Sequence, residues 1–157
     1  MRKSNREVTS REELTTILDQ CDVCRLGLSD EGQPYIVPLN FGHRWDETGL
    51  TLFFHCAGEG RKLDIIRRNN RVCFEMDHRH ALKTGDLACQ FSMNFESLIG
   101  EGFIEIVTDP SEKLTALNQI MRHYSDRIDW TFDEKVQSIT TVLRLKATQF
   151  TGKRLNK

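Results

Sequence analysis

Ten consecutive residues constrain the fold more than any others: Phe53-Phe54-His55-Cys56-Ala57-Gly58-Glu59-Gly60-Arg61-Lys62. In this stretch an apolar strand ends, a loop with two glycines follows, and a helix begins with two adjacent cations. The first N–H groups of a helix lack intrahelical acceptors, and arginine can grip phosphate oxygens with two hydrogen bonds. The stretch therefore predicts a phosphate site, with a ligand-free turn as the alternative. It is neither a P-loop nor a dinucleotide-binding glycine motif.

Outward from this stretch, hydrophobic spacing and turn residues predict many strands and few helices. Ser10 and Glu13 form a capping-box pattern that begins a first helix, and Asp109, Pro110 and Glu112 begin another. Strands are predicted at 23–28, 34–41, 50–56, 72–76, 87–107 and 140–150. The fifth of these strands is expected to be bent or divided near Gly100 and Gly102. A short helix is predicted at 61–69. Polar loops are predicted at 42–49 and 77–85. So many short strands in a small chain predict a single domain over residues 1–157, mainly β, in the form of a β-barrel with peripheral helices.

Charge and composition argue against several classes of partner. The chain has 22 Lys and Arg against 23 Asp and Glu, a formal net charge of −1, and no long basic run, so neither a nucleic acid nor an anionic membrane surface is supported. No apolar stretch approaches the ~20 residues that cross a bilayer, and the basic residues 1–6 precede no apolar signal segment. The five cysteines, an odd number, indicate free thiols. We therefore expect a cytoplasmic protein.

Six blocks follow one another along the chain: CRLGL at 24–28, GQPYIVPLNF at 32–41, FHCAGEGRK at 54–62, VCFE at 72–75, SLIGEG at 97–102 and TGKR at 151–154. In order and spacing they resemble the FMN-binding split-barrel superfamily that includes pyridoxamine 5′-phosphate oxidase, and most closely its nitroimidazole-resistance (Nim) branch. The resemblance covers most of the chain. It implies a split β-barrel that holds FMN at a homodimer interface, because in this superfamily the second subunit closes the site.

The resemblance also implies which residues meet the cofactor. The serine–arginine–lysine triplet that binds the FMN phosphate in the oxidase branch corresponds here to Gly60, Arg61 and Lys62, so the serine hydroxyl is missing while both cations remain. The strand from Tyr35 to Asn40 would lie along the isoalloxazine ring, with Asn40 at the polar edge of the ring. The other implied contacts are Val37 and Pro38 to the ring, and Phe54 and His55 beside the ring and ribityl chain. Ser97 and Ile99 would complete the phosphate and ring contacts, with Gly100 keeping the backbone of the cofactor site close.

His55 corresponds to the histidine that the Nim branch places beside the cofactor. Histidine as a residue type titrates near physiological pH, so His55 is the natural proton donor if the flavin reduces a substrate. The alternative is a histidine at the end of a strand, satisfied by a backbone carbonyl.

The cysteine and histidine patterns predict no metal site. The pair Cys21–Cys24 has zinc-ligand spacing, but no second pair stands at zinc-finger distance, and Cys24 is interpreted as a packing residue. His78 and His80 could share one strand face, but the neighbouring cations favour a solvated loop. His43 and His123 have no evident partner.

Two functions from different classes are compatible with these residues. In the first, FMN takes electrons from a reduced nicotinamide or another donor and passes them to a small organic substrate, a nitroaromatic one being implied by the Nim resemblance alone. In the second, the barrel holds a flavin, heme or deazaflavin without robust turnover, with His55 or His78 as a heme ligand. FAD is an alternative to FMN because the phosphate grip contacts only one end of the cofactor. A barrel without a ligand, kept for dimerisation or stability, is a third option.

Overall fold

The computed structural model describes residues 4–156 of the 157-residue chain. The strands are β1 (Glu7–Val8), β2 (Cys24–Asp30), β3 (Gln33–Leu39), β4 (Phe41–Asp46), β5 (Gly49–Ala57), β6 (Arg71–Lys83), β7 (Ser92–Val107) and β8 (Thr140–Leu155). The α-helices are α1 (Arg11–Gln20), α2 (Arg61–Arg68), α3 (Pro110–Tyr124) and α4 (Glu134–Ile139). Residues 1–3 and 157 of the predicted domain, and with them part of the basic N-terminus, lie outside the described residues.

The strands form one antiparallel sheet in the order β3-β2-β6-β7-β8-β5-β4, and β1 adds to β8. Strands β3 and β4 are consecutive in the chain but lie at opposite ends of this order. The mainly β architecture with peripheral helices is confirmed. Within residues 4–156, no helix combines the length and apolar character needed to cross a membrane.

Side chains alternate between two faces of the sheet, because successive residues of a strand point to opposite sides. The inner face, together with α1 and α2, builds the main core, whose largest fully buried members include Phe41, Phe54 and Phe74. A second cluster lies under α3, where Phe53 and Val142 pack against the helix. The helix α3 thus covers the outer face of β5 and β8.

The helix starts are those that the sequence predicts. The Ser10 hydroxyl accepts a hydrogen bond from the Glu13 backbone N–H at 3.5 Å, and the Asp109 carboxylate accepts one from the Glu112 N–H at 2.9 Å. Helix α4 was not predicted. Its signal was the same kind of cap, since Asp133 accepts from the Val136 N–H at 2.9 Å.

Both predicted polar loops are wrong. Residues 41–46 form β4, in register with β5 from Phe41–Phe54 to Asp46–Gly49. Residues 77–83 continue β6, which pairs with β7 on both sides of an irregularity between His78 and Ala81. Polar residues are tolerated in these segments because one face of the sheet meets solvent there, so composition alone did not distinguish strand from loop. The single strand β7 has a register shift between Glu101 and Gly102, as the predicted bend required.

Candidate functional site

The predicted phosphate corner lies where β5 gives way to α2. Gly60 has a φ of 132°, a backbone conformation that glycine adopts without strain, and its carbonyl accepts the first helical hydrogen bonds, from Leu63 at 2.9 Å and Asp64 at 3.3 Å. The N–H groups of Arg61 and Lys62 therefore belong to the unpaired first turn of the helix. The apolar face of α2 is buried in the core, which holds this first turn in place.

Arg61 is oriented by the hairpin of β2 and β3. Its Nε donates to Oδ2 of Asp30 at 3.1 Å, and its guanidinium carbon lies 4.6 Å from the centre of the Tyr35 ring. Arg68 donates to the other Asp30 oxygen at 2.6 Å. Partial desolvation raises the pKa of Asp30. Hydrogen bonds from Arg68 and Arg61 outweigh this effect and hold the pKa below its ordinary value. The sequence did not reveal Asp30 as part of this corner, because it lies in a separate hairpin.

Lys62 is the second residue of α2. Burial raises the pKa of the Cys56 thiol, and the positive charge of Lys62 partly opposes this rise. Arg61 and Lys62 thus place two positive charges at one helix start, an arrangement that can attract a phosphate.

The predicted ring-binding strand β3 is an edge strand. In the part of the chain that the structure describes, it pairs with β2 alone. Tyr35 and Val37 are half-buried and pack against the core, whereas Pro38 and Asn40 are exposed. The Asn40 amide donates to the Asp22 carbonyl at 3.3 Å. The predicted ring contacts are therefore divided between two faces, and the free edge of β3 offers backbone donors and acceptors.

The predicted residues on β7 have different surroundings. Ile99 is 51% exposed on the outer face, in one cross-strand row with Glu75 and Thr151, and Ser97 is half-buried two residues before it. Gly100 faces inward, where an added Cβ would lie 2.5 Å from the Phe74 ring. Interior packing therefore accounts for glycine at this position, beside the role that the resemblance implies for it.

A shallow groove of about 440 Å³ runs along the outer face of β2, β3, β6 and β7. Its apolar walls are Pro34, Ile36, Cys73 and Phe103, with Ile36 67% exposed and Phe103 49% exposed. Together with Ile99, these five residues form what we term the outer apolar face. Three of them, Ile36, Ile99 and Phe103, are large apolar side chains exposed on one sheet face, a pattern typical of an interaction surface.

Phe54 and His55 point in opposite directions from β5. The Phe54 side chain is fully buried in the main core, so only its backbone is accessible. His55 is exposed and borders a mainly apolar pocket of about 180 Å³ between the end of β5 and helices α3 and α4, lined by Leu117, Phe132 and Val136 among others. Of the two predicted residues, His55 alone can present its side chain to a ligand.

The two cysteines with zinc-ligand spacing are buried. Burial, with smaller contributions from nearby carboxylates, raises the pKa of Cys21 to about 12, and burial raises that of Cys24 as well. Both therefore stay protonated, as thiols rather than thiolates.

The remaining histidines lie beside carboxylates. His78 Nε2 is 3.0 Å from Oε2 of buried Glu96, and His80 Nε2 is 2.8 Å from Oδ2 of Asp77. The view that His43 and His123 have no partner is wrong, since the two rings lie 5.8 Å apart beside Asp19. The burial of His123 lowers its pKa.

The chain matches the pyridoxamine 5′-phosphate oxidase family over residues 10–154. Among solved structures, it is similar to a candidate 5-nitroimidazole antibiotic resistance protein from Bacteroides thetaiotaomicron, with 33% identity and a TM-score of 0.80 over 96% of this chain and 90% of that one. None of the curated proteins matches significantly.

Two more distant structures share the fold. The FAD and heme binding protein from Mycobacterium smegmatis has a TM-score of 0.84 at 18% identity, over 97% of this chain and 74% of that one. The flavocytochrome Anf3 from Azotobacter vinelandii has a TM-score of 0.83 at 19% identity, over 100% of this chain and 72% of that one. The predicted split β-barrel is thereby confirmed.

Proposed function

The chain belongs to the pyridoxamine 5′-phosphate oxidase family, and on that premise we propose that it binds FMN with the phosphate at the first turn of α2. The observation that carries this proposal is the geometry of that turn. Gly60, with φ at 132°, exposes the unpaired N–H groups of a helix whose first two side chains are Arg61 and Lys62. A phosphate at this turn would meet backbone donors, the positive end of the helix dipole and two cations.

The rest of the corner fits a flavin. The free edge of β3 can hydrogen-bond the polar edge of an isoalloxazine ring, and Tyr35, Val37, Pro38 and Asn40 line that edge on its two faces. The Phe54 side chain has no part in the proposed site, because it is fully buried. Ser97 and Ile99 contribute from β7 on the outer side of the sheet.

We propose that a second copy of the chain closes the site. The outer apolar face of Pro34, Ile36, Cys73, Ile99 and Phe103 is exposed in one chain, and pairing would bury it. Apolar area removed from water contributes about 25 cal/mol per Å², which drives association of such surfaces. All five cysteines are free thiols, which supports our proposal of a cytoplasmic location.

The proposed activity is the reduction of a small organic molecule, a nitroaromatic compound being the first candidate because the Bacteroides protein carries that description. The bound flavin supplies the chemistry of electron or hydride transfer. The protein contributes orientation and a proton. His55, exposed at the end of β5 beside an apolar pocket of about 180 Å³, is the proposed proton donor.

The decisive experiment compares FMN with riboflavin, which lacks the phosphate. Apo-protein is titrated with each, and Arg61→Ala is measured beside the matched control Arg67→Ala, which removes another half-exposed arginine of the same helix. We expect Arg61→Ala to weaken FMN binding by about 1.5–3 kcal/mol, the usual contribution of a hydrogen bond to a charged group, and to leave riboflavin binding unchanged. Equal loss for both ligands, or none for FMN, would place the phosphate elsewhere.

The absorbance spectrum of the purified protein separates the alternative cofactors. Visible flavin bands support the proposal, and release of the cofactor by denaturation followed by its chromatography distinguishes FMN from FAD. A Soret band would instead favour the second candidate, a heme-binding barrel, which the Mycobacterium neighbour makes worth testing. In that case His55 or His78 would be the residue to replace.

A further inference from the structure

Three side chains from separate elements meet away from the start of α2. Asp19 comes from the last turn of α1, His43 from β4 and His123 from the last turn of α3. One nitrogen or oxygen atom of each lies within 4.8 Å of the others. This set, which we term the His–His–Asp cluster, has the spacing that side chains show around a single metal ion after a small adjustment.

His43 faces the carboxylate of Asp19. Its Nε2 lies 2.8 Å from Oδ1 of Asp19, and 14% of its side chain is exposed. These two atoms are the pair that could bind one ion together, with the ion taking the place of the proton between them, because metal ligands are deprotonated.

His123 is oriented by a backbone carbonyl. One ring nitrogen, Nε2, lies 2.7 Å from the backbone carbonyl oxygen of Cys21. Since a carbonyl only accepts, Nε2 carries the proton and Nδ1 keeps its lone pair. Histidine ligands of metals commonly donate their second N–H to a carbonyl or carboxylate in this way, which fixes the ring.

The surrounding backbone favours a cation. Helix α1 ends at Gln20 and α3 ends at Tyr124, so Asp19 and His123 each stand next to a helix C-terminus. The carbonyl ends of helices carry partial negative charge. The negative ends of both helices therefore lie near the cluster.

We propose that the His–His–Asp cluster binds one divalent transition metal ion of the zinc type. Imidazole nitrogen and carboxylate oxygen suit zinc, cobalt, nickel and copper better than magnesium or calcium. Three protein ligands leave one coordination position for water. The ion would join α1, β4 and α3, which are far apart in sequence, and would therefore stabilise the fold.

The test uses metal-stripped protein titrated with Co²⁺, whose visible absorption reports its coordination, followed by displacement with Zn²⁺. We expect one ion per chain, and a rise of the thermal unfolding midpoint of about 5 °C or more with Zn²⁺ at a hundred times the dissociation constant. Asp19→Asn is the principal variant, because this side chain is 55% exposed and its replacement leaves the core intact. It should bind Co²⁺ at least about tenfold more weakly.

His123→Asn should show the same loss, and if it fails to fold, Asp19→Asn decides alone. His80→Asn is the matched control, since it removes another histidine 2.8 Å from a carboxylate but outside the cluster. It should bind Co²⁺ as the wild type does. Wild-type affinity in Asp19→Asn, or weakened binding in His80→Asn, would overturn the proposal, as would the absence of any Co²⁺ binding by the wild type.

Discussion

Arg61 and Asp30, 31 positions apart in the chain, are joined by a hydrogen bond of 3.1 Å from Nε to Oδ2. The bond ties the first residue of α2 to the end of β2. The cation that the sequence assigns to a phosphate therefore already has an anionic partner. A ligand phosphate must share Arg61 with Asp30, and the strength of the site depends on how the two anions compete.

We predict that Asp30→Asn tightens FMN binding. Partial desolvation raises the pKa of Asp30, but hydrogen bonds from Arg68 and Arg61 outweigh it and lower this pKa, so the substitution removes one negative charge from the corner. For a phosphate about 6 Å away, the repulsion removed corresponds to about a threefold change in water, more at low ionic strength. Titration of wild-type and Asp30→Asn apo-protein with FMN at two salt concentrations measures this change in affinity. Riboflavin is the control ligand and should bind unchanged, whereas weaker FMN binding would mean that Asp30 serves mainly to orient Arg61.

We predict that His55→Ala retains flavin but loses turnover. His55 is exposed beside the pocket of Leu117 and Phe132, so its removal leaves the core intact. Loss of a positioned proton donor reduces the rate by about 10²- to 10⁴-fold. Steady-state reduction of a nitroaromatic panel with NADH and NADPH measures this, with His80→Ala as the control. Unchanged flavin content together with unchanged rates would remove His55 from the site.

We predict that Gly42→Ala destabilises the protein by about 3 kcal/mol, at the upper end of the usual cost of overpacking. A Cβ at position 42 would lie 2.4 Å from the backbone of Gln119 and Ile120, so α3 would have to move away from β4. Urea denaturation measures the loss. Gly58→Ala is the matched control, because its Cβ would meet the Ile139 carbonyl at 3.7 Å, an ordinary contact. Equal stability of the two variants would show that α3 adjusts without cost.

We predict that the cap of α3 makes stability depend on acidic pH. Hydrogen bonds from the Ser111 hydroxyl and then the Glu112 N–H lower the pKa of Asp109 in the folded protein. A carboxyl with a depressed folded pKa contributes stability above its unfolded pKa of ~3.9, and this contribution is lost as pH falls through the folded value. Asp109→Ala should therefore cost more at pH 7 than at pH 3. Asp109→Asn, whose side chain caps the helix without titrating, should remove this pH dependence. If Asp109→Ala lowers the free energy of unfolding equally at both pH values, the Asp109 carboxylate is not the source of the pH dependence.

The sequence by itself determined the local features. The caps at Ser10 and Asp109, the hairpin of β2 and β3, the buried strand β5 and the cationic start of α2 depend on neighbouring residues, and each was predicted from spacing and composition. The family followed from six short blocks in order. Only the tertiary structure decided that 41–46 is a strand, that Asp30 engages Arg61, that Gly100 faces Phe74, and that Asp19, His43 and His123 converge. These contacts join residues from distant parts of the chain, so they depend on the path of the backbone through the barrel, which local preferences do not encode.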